Sequence, residues 1–96
     1  MIYKIIIMPS ARNSILAIGI YLDRIGFPLT AAKFVDELYT YIGSLGRFPL
    51  KYPVCKRHIL AKKGYHCAPY RDWIFLYKID KNNVVVVNVV HSSMLK

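Results

Sequence analysis

The sequence predicts an α+β fold of order β-α-α-β-β-β, in which an antiparallel helical hairpin packs on one face of a small, mainly antiparallel sheet. Two observations carry this prediction. The first half of the chain holds two stretches of helical period joined by a short connection. The second half holds two runs of aromatic and β-branched residues, 73–79 and 84–90, around the turn Asp80-Lys81-Asn82-Asn83. A chain of 96 residues has room for one core, so we expect a single domain, residues 1–96.

The hairpin of residues 73–90 is predicted to form the centre of the sheet. The run Val84–Val87 lacks the alternation that a strand with one wet face shows, so both of its faces should be covered. Asparagine side chains tolerate left-handed backbone angles, and Asn82 and Asn83 are therefore the expected turn formers.

The chain begins with a predicted strand followed by a helix. Ile2–Met8 is a short isoleucine-rich run that predicts the first strand, and Pro9 ends it. Ser10 then occupies the position of a helix N-cap. Apolar residues recur with helical spacing from Ala11 to Ile25, and Gly26 is expected to stop this helix.

A second amphipathic helix is predicted from Leu29 to Leu45, with Pro28 near its first turn and Gly46 at its close. The segment that follows contains two prolines and no clean period, and we expect an extended stretch and then one helical turn from His58.

The remaining segments complete the sheet. Tyr65–Pro69 predicts the second strand, and the two arms of the hairpin supply the third and fourth strands. Ser92–Lys96 predicts a short polar tail with frayed structure.

Composition indicates a partner of opposite charge. The net charge is +9, and nine of the 14 basic residues lie between residues 47 and 81, where only Asp72 and Asp80 oppose them. This field suits a polyanion or an acidic protein.

The hydrophobic fraction of 55% and the mean hydropathy of +0.30 indicate a dense core, an apolar surface that a partner covers, or both. No apolar run approaches the roughly 18–20 residues that span a bilayer, so we expect a cytoplasmic protein with no membrane partner.

The two cysteines, Cys55 and Cys67, are too few for a disulfide scaffold, and we expect both to remain reduced. Together with His58 and His66 they offer four zinc-ligand types. In a strand, however, His66 and Cys67 would lie on opposite faces, which is incompatible with a tetrahedral site. We therefore expect no metal and no cofactor.

Short pieces follow one another along nearly the whole chain in a characteristic order and spacing: the opening strand into Pro9-Ser10-Ala11, Ile18-x-x-Tyr21, Pro28 and Ala31-Ala32-x-Phe34, Leu45-Gly46-Arg47-Phe48-Pro49, Gly64-Tyr65-His66, Phe75-Leu76-Tyr77-Lys78-Ile79-Asp80 and Val89-Val90-His91. By these pieces, the chain resembles the RelE/ParE superfamily of bacterial toxins from type II toxin–antitoxin modules. The resemblance implies a toxin neutralised by a cognate acidic antitoxin, which wraps the helical hairpin and the sheet edge. We assign the outward residues Ile20, Tyr21 and Tyr39 to antitoxin binding.

Two branches of this superfamily differ in target. RelE-like members cut messenger RNA in the ribosomal A site, whereas ParE-like members inhibit DNA gyrase. Cleavage by an attacking 2′-hydroxyl requires a group that takes a proton, a group that gives one, and cations for the developing charge. His66, Arg71 and His91, with Lys62 and Lys63 nearby, are the residues that could meet these requirements. Of these, His91 alone matches a position that some ribosome-dependent members use for acid/base chemistry.

The ParE-like branch fits the sequence better. RelE-like toxins typically carry an arginine within the third strand and an arginine or tyrosine just past the last strand, and neither is present here. The long helices, the compact basic middle and the Val-Val-His ending are typical of ParE-like toxins. We therefore expect a gyrase inhibitor rather than an enzyme, with Lys62, Lys63, Arg71 and His91 as target-binding residues.

Three alternatives stay open from the sequence. The first is a ribosome-dependent endoribonuclease that uses His66, Arg71 and His91. The second is a weakened or inactive toxin, because Asn88 and the pair Ser92-Ser93 stand where relatives often carry basic residues. The third is a general nucleic-acid-binding domain, although no recognition-helix or RNA-binding fingerprint supports it. Arg71 could also serve structure alone, by pairing with the adjacent Asp72 or with the hairpin.

Overall fold

The structure, a computed structural model, describes residues 2–95 apart from the side chain of Pro28. Its elements are β1 (Lys4–Ile7), α1 (Pro9–Arg24), α2 (Pro28–Leu45), α3 (His58–Lys62), β2 (His66–Tyr70), β3 (Trp73–Asp80) and β4 (Asn83–His91), followed by a 3₁₀ turn (Ser92–Leu95). The predicted α+β class and element order are confirmed, and α3 is the helical turn expected from His58.

The four strands form one open sheet in the order β1-β4-β3-β2. β1 runs parallel to β4, whereas β4, β3 and β2 are antiparallel neighbours. The hairpin of β3 and β4 therefore supplies the two central strands, as the sequence predicts. Val84, Val85 and Val86 are all buried, so both faces of β4 are covered where the apolar run lacks alternation.

The turn between β3 and β4 differs from the prediction in the residue that carries the unusual backbone angle. Lys81, with φ of 57°, adopts the left-handed conformation expected of Asn82 or Asn83. Strand register explains this result, because Asp80 pairs with Asn83 and leaves Lys81 at the first loop position. Arg71, with φ of 56°, has the same conformation in the two-residue turn between β2 and β3.

The hydrophobic core lies between the helical hairpin and one face of the sheet. Its buried residues come from α1, α2, the two central strands and β2: Ala11, Ile15, Ile18, Leu38, Ile42, Leu45, Ala68, Phe75, Tyr77, Val84, Val86 and Val89. These positions lie on the predicted apolar faces of the helices and strands. Ile25 is an exception at 47% exposed, because α1 ends at Arg24 and the predicted helical face stops there.

The start of α1 also differs from the prediction. Pro9 occupies a first-turn position and Met8, not Ser10, is the N-cap. Proline suits the first turn because its φ is already helical and its missing N–H would have had no partner there. The Ser10 hydroxyl instead donates a hydrogen bond to the carbonyl of Val87, at the point where the β3–β4 pairing shifts by one residue.

Two glycines follow helices for different reasons. Gly26, with φ of 94°, has the left-handed conformation that commonly ends a helix. Gly46 has a right-handed backbone conformation. A side chain would not fit at this position, since a Cβ there would lie 2.8 Å from the carbonyl oxygen of Tyr3. The Tyr3 N–H donates to the Gly46 carbonyl at 2.8 Å, so the end of α2 is fastened to the chain just before β1.

Cys55 and Cys67 form a disulfide bridge, and the prediction that both remain reduced is wrong. Their Cα atoms are 5.0 Å apart because residues 53–55 run antiparallel beside the outer edge of β2. In this pairing the Cys55 N–H donates to the carbonyl of Tyr65 at 2.9 Å. The sequence hides the pairing, since this segment carries a proline and no strand pattern. Joined in the disulfide, neither cysteine can serve as a metal ligand.

The C-terminal segment is folded, so the prediction of a frayed tail is wrong for Ser92–Leu95, while Lys96 lies outside the described residues. The Ser92 N–H donates to the carbonyl of Asp72 at 2.8 Å. Nη1 of Arg57 donates to the carbonyl of Met94, also at 2.8 Å. The 3₁₀ turn is therefore held from two sides.

Candidate functional site

A groove lies beside the end of β4, between α1 and the 3₁₀ turn. We call it the His91 groove, and its lining includes Ser14, Tyr21, Trp73, Asn88, His91 and Met94. The groove thus brings together one residue that the sequence assigns to the target, His91, and one that it assigns to the antitoxin, Tyr21.

His91 is exposed and is positioned by Trp73 and Ser93. Strand register pairs His91 with Trp73, whose ring meets the imidazole edge-on at 5.2 Å between centroids. The backbone N–H of Ser93 donates to Nδ1 of His91 at 3.2 Å, and the Ser93 hydroxyl lies 2.9 Å from the same nitrogen. Because a backbone N–H can only donate, Nδ1 accepts and the neutral ring carries its proton on Nε2. In this tautomer His91 presents a hydrogen-bond donor.

Asn88 has a structural role beneath the groove. Its Oδ1 accepts a hydrogen bond from the hydroxyl of Ser14 at 2.7 Å and another from the N–H of Val89 at 2.8 Å. It therefore ties α1 to the irregular part of β4. This explains an asparagine at a position where the resemblance suggested a basic residue.

Arg71 lies at the same end of the sheet but faces a different neighbour. Its Nη2 is 3.2 Å from the Glu37 carboxylate of α2, and its guanidinium lies 5.7 Å from the Phe34 ring and 5.6 Å from the Tyr70 ring. The Tyr70 hydroxyl donates to the same Glu37 carboxylate at 3.1 Å. A pairing of Arg71 with Asp72 is therefore wrong, and the ion pair joins the β2–β3 turn to α2. The arginine side chain remains 60% exposed.

His66 lies at the other end of β2. It pairs with Tyr77, and the two rings stack at 5.0 Å between centroids. Its Nδ1 is 2.8 Å from the carbonyl of Tyr52, which can only accept, so Nδ1 carries the proton. Four residues of strand separate the His66–Tyr77 pair from Trp73, which corresponds to about 13 Å.

Lys62 and Lys63 are exposed residues at the end of α3, just before β2. They lie toward the His66 end of β2, away from the turn that holds Arg71. Of the five residues nominated from the sequence, only Arg71 and His91 share one end of the sheet. The structure brings none of the three nominated acid/base groups into contact with another.

A second groove runs between α1 and α2, and we call it the helical groove. Its volume is about 490 Å³, and its lining includes Leu16, Gly19, Ile20, Val35 and Tyr39. Gly19 lets the helices approach closely, since a Cβ there would lie 3.0 Å from a methyl carbon of Val35. Ile20 and Tyr39 therefore share one groove, whereas Tyr21 lies on the other side of α1, in the His91 groove.

A cluster of tyrosines closes the core beside His66. The buried Tyr77 hydroxyl donates to the Pro49 carbonyl at 2.6 Å, and the Tyr41 hydroxyl donates to the Pro69 carbonyl at 2.7 Å. Burial raises the pKa of Tyr77 to about 12. Burial also raises the pKa of Tyr41, with a further contribution from Tyr52. Both phenols therefore act as neutral hydrogen-bond donors near pH 7.

Residues 5–96 match the family model of the ParE toxin of the type II toxin–antitoxin system parDE. The chain belongs to the ParE toxin family. It is thus a toxin of the RelE/ParE superfamily, and the resemblance seen in the sequence is confirmed. No curated protein matches the sequence.

Solved structures agree with the fold of this ParE-family chain. A chain from the chromosomal ParDE toxin–antitoxin system of P. aeruginosa is 10% identical, with a TM-score of 0.80, and the match covers 94% of this chain and 96% of that one. A chain from the RelBE2 toxin–antitoxin complex of Mycobacterium tuberculosis is 23% identical, with a TM-score of 0.61, and the match covers 95% and 99%. At these identities the similarity establishes the fold.

Sequence reasoning missed three residues of these sites in the ParE-family chain. Leu16 lines the helical groove, and its spacing of four residues from Ile20 could have placed it on the same helix face. Glu37 had no comparable signal, because its neighbour Arg71 is distant in the chain. Met94 is only three residues from His91, but it lies in the segment predicted to be a frayed tail. Among residues 2–95 no helix is long and apolar enough to cross a membrane.

Proposed function

We propose that this ParE-family toxin inhibits DNA gyrase and is neutralised by a cognate acidic antitoxin. The observation that carries the proposal is the separation of the three groups nominated for RNA cleavage. His66 is engaged in the tyrosine cluster, Arg71 is paired with Glu37, and His91 stands apart from both.

Cleavage of RNA through its 2′-hydroxyl needs an acceptor and a donor of protons on opposite sides of one phosphate. In its neutral tautomer His91 offers Nε2–H, a donor, and His66 lies too far along the sheet to act as the matching base. Of the cations nominated from the sequence, Arg71 is the one at the same end of the sheet as His91, and the Glu37 carboxylate partly neutralises its charge. These contacts favour binding to a protein target over catalysis.

We propose the His91 groove and the adjacent Arg71 turn as the surface that contacts gyrase. The groove offers an exposed imidazole donor beside an aromatic ring, and Met94 and Tyr21 add exposed apolar area at its border. Side chains of this kind are enriched at the energetically important centres of protein interfaces. Lys62 and Lys63 lie elsewhere, and in this proposal they contribute to the attraction between a basic toxin and its anionic target.

We propose the helical groove as the antitoxin site. Leu16, Ile20 and Tyr39 are exposed at its border by 61%, 45% and 36%. An amphipathic segment could bury these residues, and its acidic side chains would be attracted to a domain with net charge +9. The antitoxin contacts would then be Ile20 and Tyr39. Tyr21 would contact the target instead, since it lines the His91 groove.

Gyrase-driven supercoiling of relaxed plasmid tests the target. We expect the purified chain to abolish supercoiling or to trap cleaved DNA, and His91→Ala to weaken the effect. A folded sample that leaves supercoiling intact would contradict the proposal. In that case cleavage of messenger RNA in a translation extract, with His66→Ala and His91→Ala as variants, would identify the ribosome as the target.

Affinity purification from the native host tests the antitoxin site. We expect a small acidic protein, encoded beside the toxin gene, to copurify with the wild type and with Ile59→Arg, but not with Ile20→Arg. Ile59 is a suitable control because it is exposed and does not line the helical groove. Equal recovery with both variants would remove the helical groove from the antitoxin interface.

A further inference from the structure

We propose that Cys55–Cys67 is a reversible thiol–disulfide site that controls the 3₁₀ turn at the border of the His91 groove. The bridge closes a separation of 12 residues and fastens residues 53–55 to the outer edge of β2. Three successive contacts connect it to His91, and each is visible in the structure.

The first contact is the attachment of the edge segment to the sheet. Apart from the disulfide, the backbone attachment is the single bridge between Val54 and His66. Its two hydrogen bonds run from the Cys55 N–H to the Tyr65 carbonyl at 2.9 Å and, at a long 3.4 Å, from the Cys67 N–H to the Pro53 carbonyl. Just before the segment, Nδ1 of His66 donates to the Tyr52 carbonyl at 2.8 Å. Pro53 has no N–H to contribute. The covalent bond is therefore the strongest link that holds this segment in place.

The second contact leads from the segment to the 3₁₀ turn. Arg57, two residues after Cys55, donates from Nη1 to the carbonyl of Met94 at 2.8 Å. Leu95 lines the cleft that also contains Cys55, Cys67 and Arg57. If the segment leaves β2, the turn loses both its arginine donor and one wall of the cleft in which Leu95 lies.

The third contact leads from the turn to the groove. Ser93 holds Nδ1 of His91 through its backbone N–H, and Met94 forms part of the groove lining. Displacement of the turn would release the His91 ring from its fixed orientation. An oxidised bridge therefore supports the geometry of the groove, and a reduced one loosens it.

The chemistry is ordinary thiol–disulfide exchange with a dithiol reductant. A thiolate of the reductant attacks the sulfur of Cys67, which is partly exposed, whereas Cys55 is 4% exposed. The sulfur–sulfur bond breaks, Cys55 leaves as a thiolate that takes up a proton, and a mixed disulfide joins Cys67 to the reductant. The second thiolate of the reductant then displaces Cys67. Two electrons and two protons have passed to the cysteines, and the reductant has become a disulfide.

Hydrogen exchange on the full chain, oxidised and after reduction with a phosphine, tests this inference. We expect two titratable thiols only after reduction, and a Tm lower by roughly 10–20 °C. Exchange of the amides of residues 93–95 should accelerate at least roughly tenfold, while the amides of Val84–Val86 keep the protection that matches the lower global stability of the reduced chain. The variant Arg57→Ala should reproduce the faster exchange at residues 93–95 with no titratable thiol.

Three results would overturn the inference. One is equal exchange at residues 93–95 in the oxidised and reduced chain. A second is complete loss of protection at Val84–Val86 on reduction, which would make the bridge a requirement of the whole fold and not a local control. Two titratable thiols in a sample kept with an oxidising glutathione couple would likewise count against it.

The effect on the target rests on the proposed function and is measured separately. We expect the oxidised chain to inhibit supercoiling at a concentration roughly tenfold lower than the reduced chain or Arg57→Ala. If no form of the chain inhibits gyrase, the proposed target is wrong, and the exchange measurement still decides the inference. If all forms inhibit equally while exchange differs, the bridge controls the turn but not the target surface.

Discussion

Two strand ends carry one histidine each, and the structure places these histidines in opposite environments. Where β2 begins, His66 is half-buried, stacks on Tyr77, and donates from Nδ1 to the Tyr52 carbonyl. Where β4 finishes, His91 is exposed, accepts at Nδ1 from Ser93, and presents Nε2–H. Both residues terminate strands in a basic protein, so residue type and position do not separate them. The hydrogen-bond partner of each ring nitrogen does separate them: it ties His66 to the fold, and it leaves His91 free for the target contact proposed above.

The largest difference between the His66 and His91 environments should appear in the free energy of unfolding, when an aromatic residue is removed from each. Tyr77 is fully buried, and Tyr77→Ala should lower the free energy of unfolding by about 4 kcal/mol, since it leaves a cavity and removes the donor to Pro49. Trp73 is only half-buried at the border of the His91 groove, and Trp73→Ala should cost about 2 kcal/mol. Urea denaturation measures both. Equal losses would mean that the groove is as much a part of the core as the tyrosine cluster.

Exchange of each histidine for alanine should separate stability from activity. His66→Ala should cost about 1–2 kcal/mol in stability, because a hydrogen bond and a ring contact disappear. His91→Ala should change stability by less than about 0.5 kcal/mol, yet weaken gyrase inhibition roughly tenfold or more. Chemical denaturation and plasmid supercoiling measure the two effects.

The decisive comparison is the specific inhibition by His66→Ala, measured at a temperature where the variant is folded. It should match the wild type. A strong loss of inhibition with His66→Ala at full folding would place the target surface along β2 and contradict the assignment of His66 to the fold.

Alkaline pH should lower the stability of the protein through Tyr77, the buried partner of His66. Burial raises the pKa of Tyr77 to about 12, whereas an unfolded tyrosine titrates near 10. Below about pH 10 both states are neutral and this residue gives no pH dependence. Between about pH 10 and 12 the unfolded state releases the proton that the folded state retains, so stability falls by about 2–3 kcal/mol.

The variant Tyr77→Phe sharpens this prediction. It should cost about 1 kcal/mol near pH 7, where the Pro49 carbonyl loses its donor, but it should show a flatter decline above about pH 10. Some decline should persist, since burial raises the pKa of Tyr41 as well. Urea denaturation in a pH series measures the slope, and identical slopes for the two proteins would exclude Tyr77 as its source.

The sequence predicts those features of the fold that depend on residues close together in the chain, and it does not predict contacts between distant segments. Helices, strands and the central hairpin follow from local period and turn residues, and these are confirmed. The Cys55–Cys67 bridge and the Arg71–Glu37 ion pair join segments that become neighbours only when β2 reaches its place at the sheet edge. Neither segment signals that contact. The same limit applies to the candidate site. Residue type identified His66, Arg71 and His91 as candidates, but the distances between them depend on the register of the strands.

The two turns at opposite ends of the sheet provide the smallest and most direct comparison. Lys81 and Arg71 both adopt positive φ, which costs a residue with a side chain roughly 1 kcal/mol and which asparagine tolerates better. Lys81 forms no ion pair among the described residues, so Lys81→Asn should stabilise the protein by about 0.5 kcal/mol.

At the other turn the same substitution should fail to stabilise. Arg71→Asn also relieves the backbone, but it removes an ion pair with Glu37 and contacts with the Phe34 and Tyr70 rings, which together are worth about 0.5–1 kcal/mol at an exposed site. Thermal unfolding at low and high salt measures both variants. A gain for Arg71→Asn as large as that for Lys81→Asn would show that the exposed ion pair contributes nothing to the fold. The proposed contact of Arg71 with the target would then remain as the reason for an arginine in this strained turn.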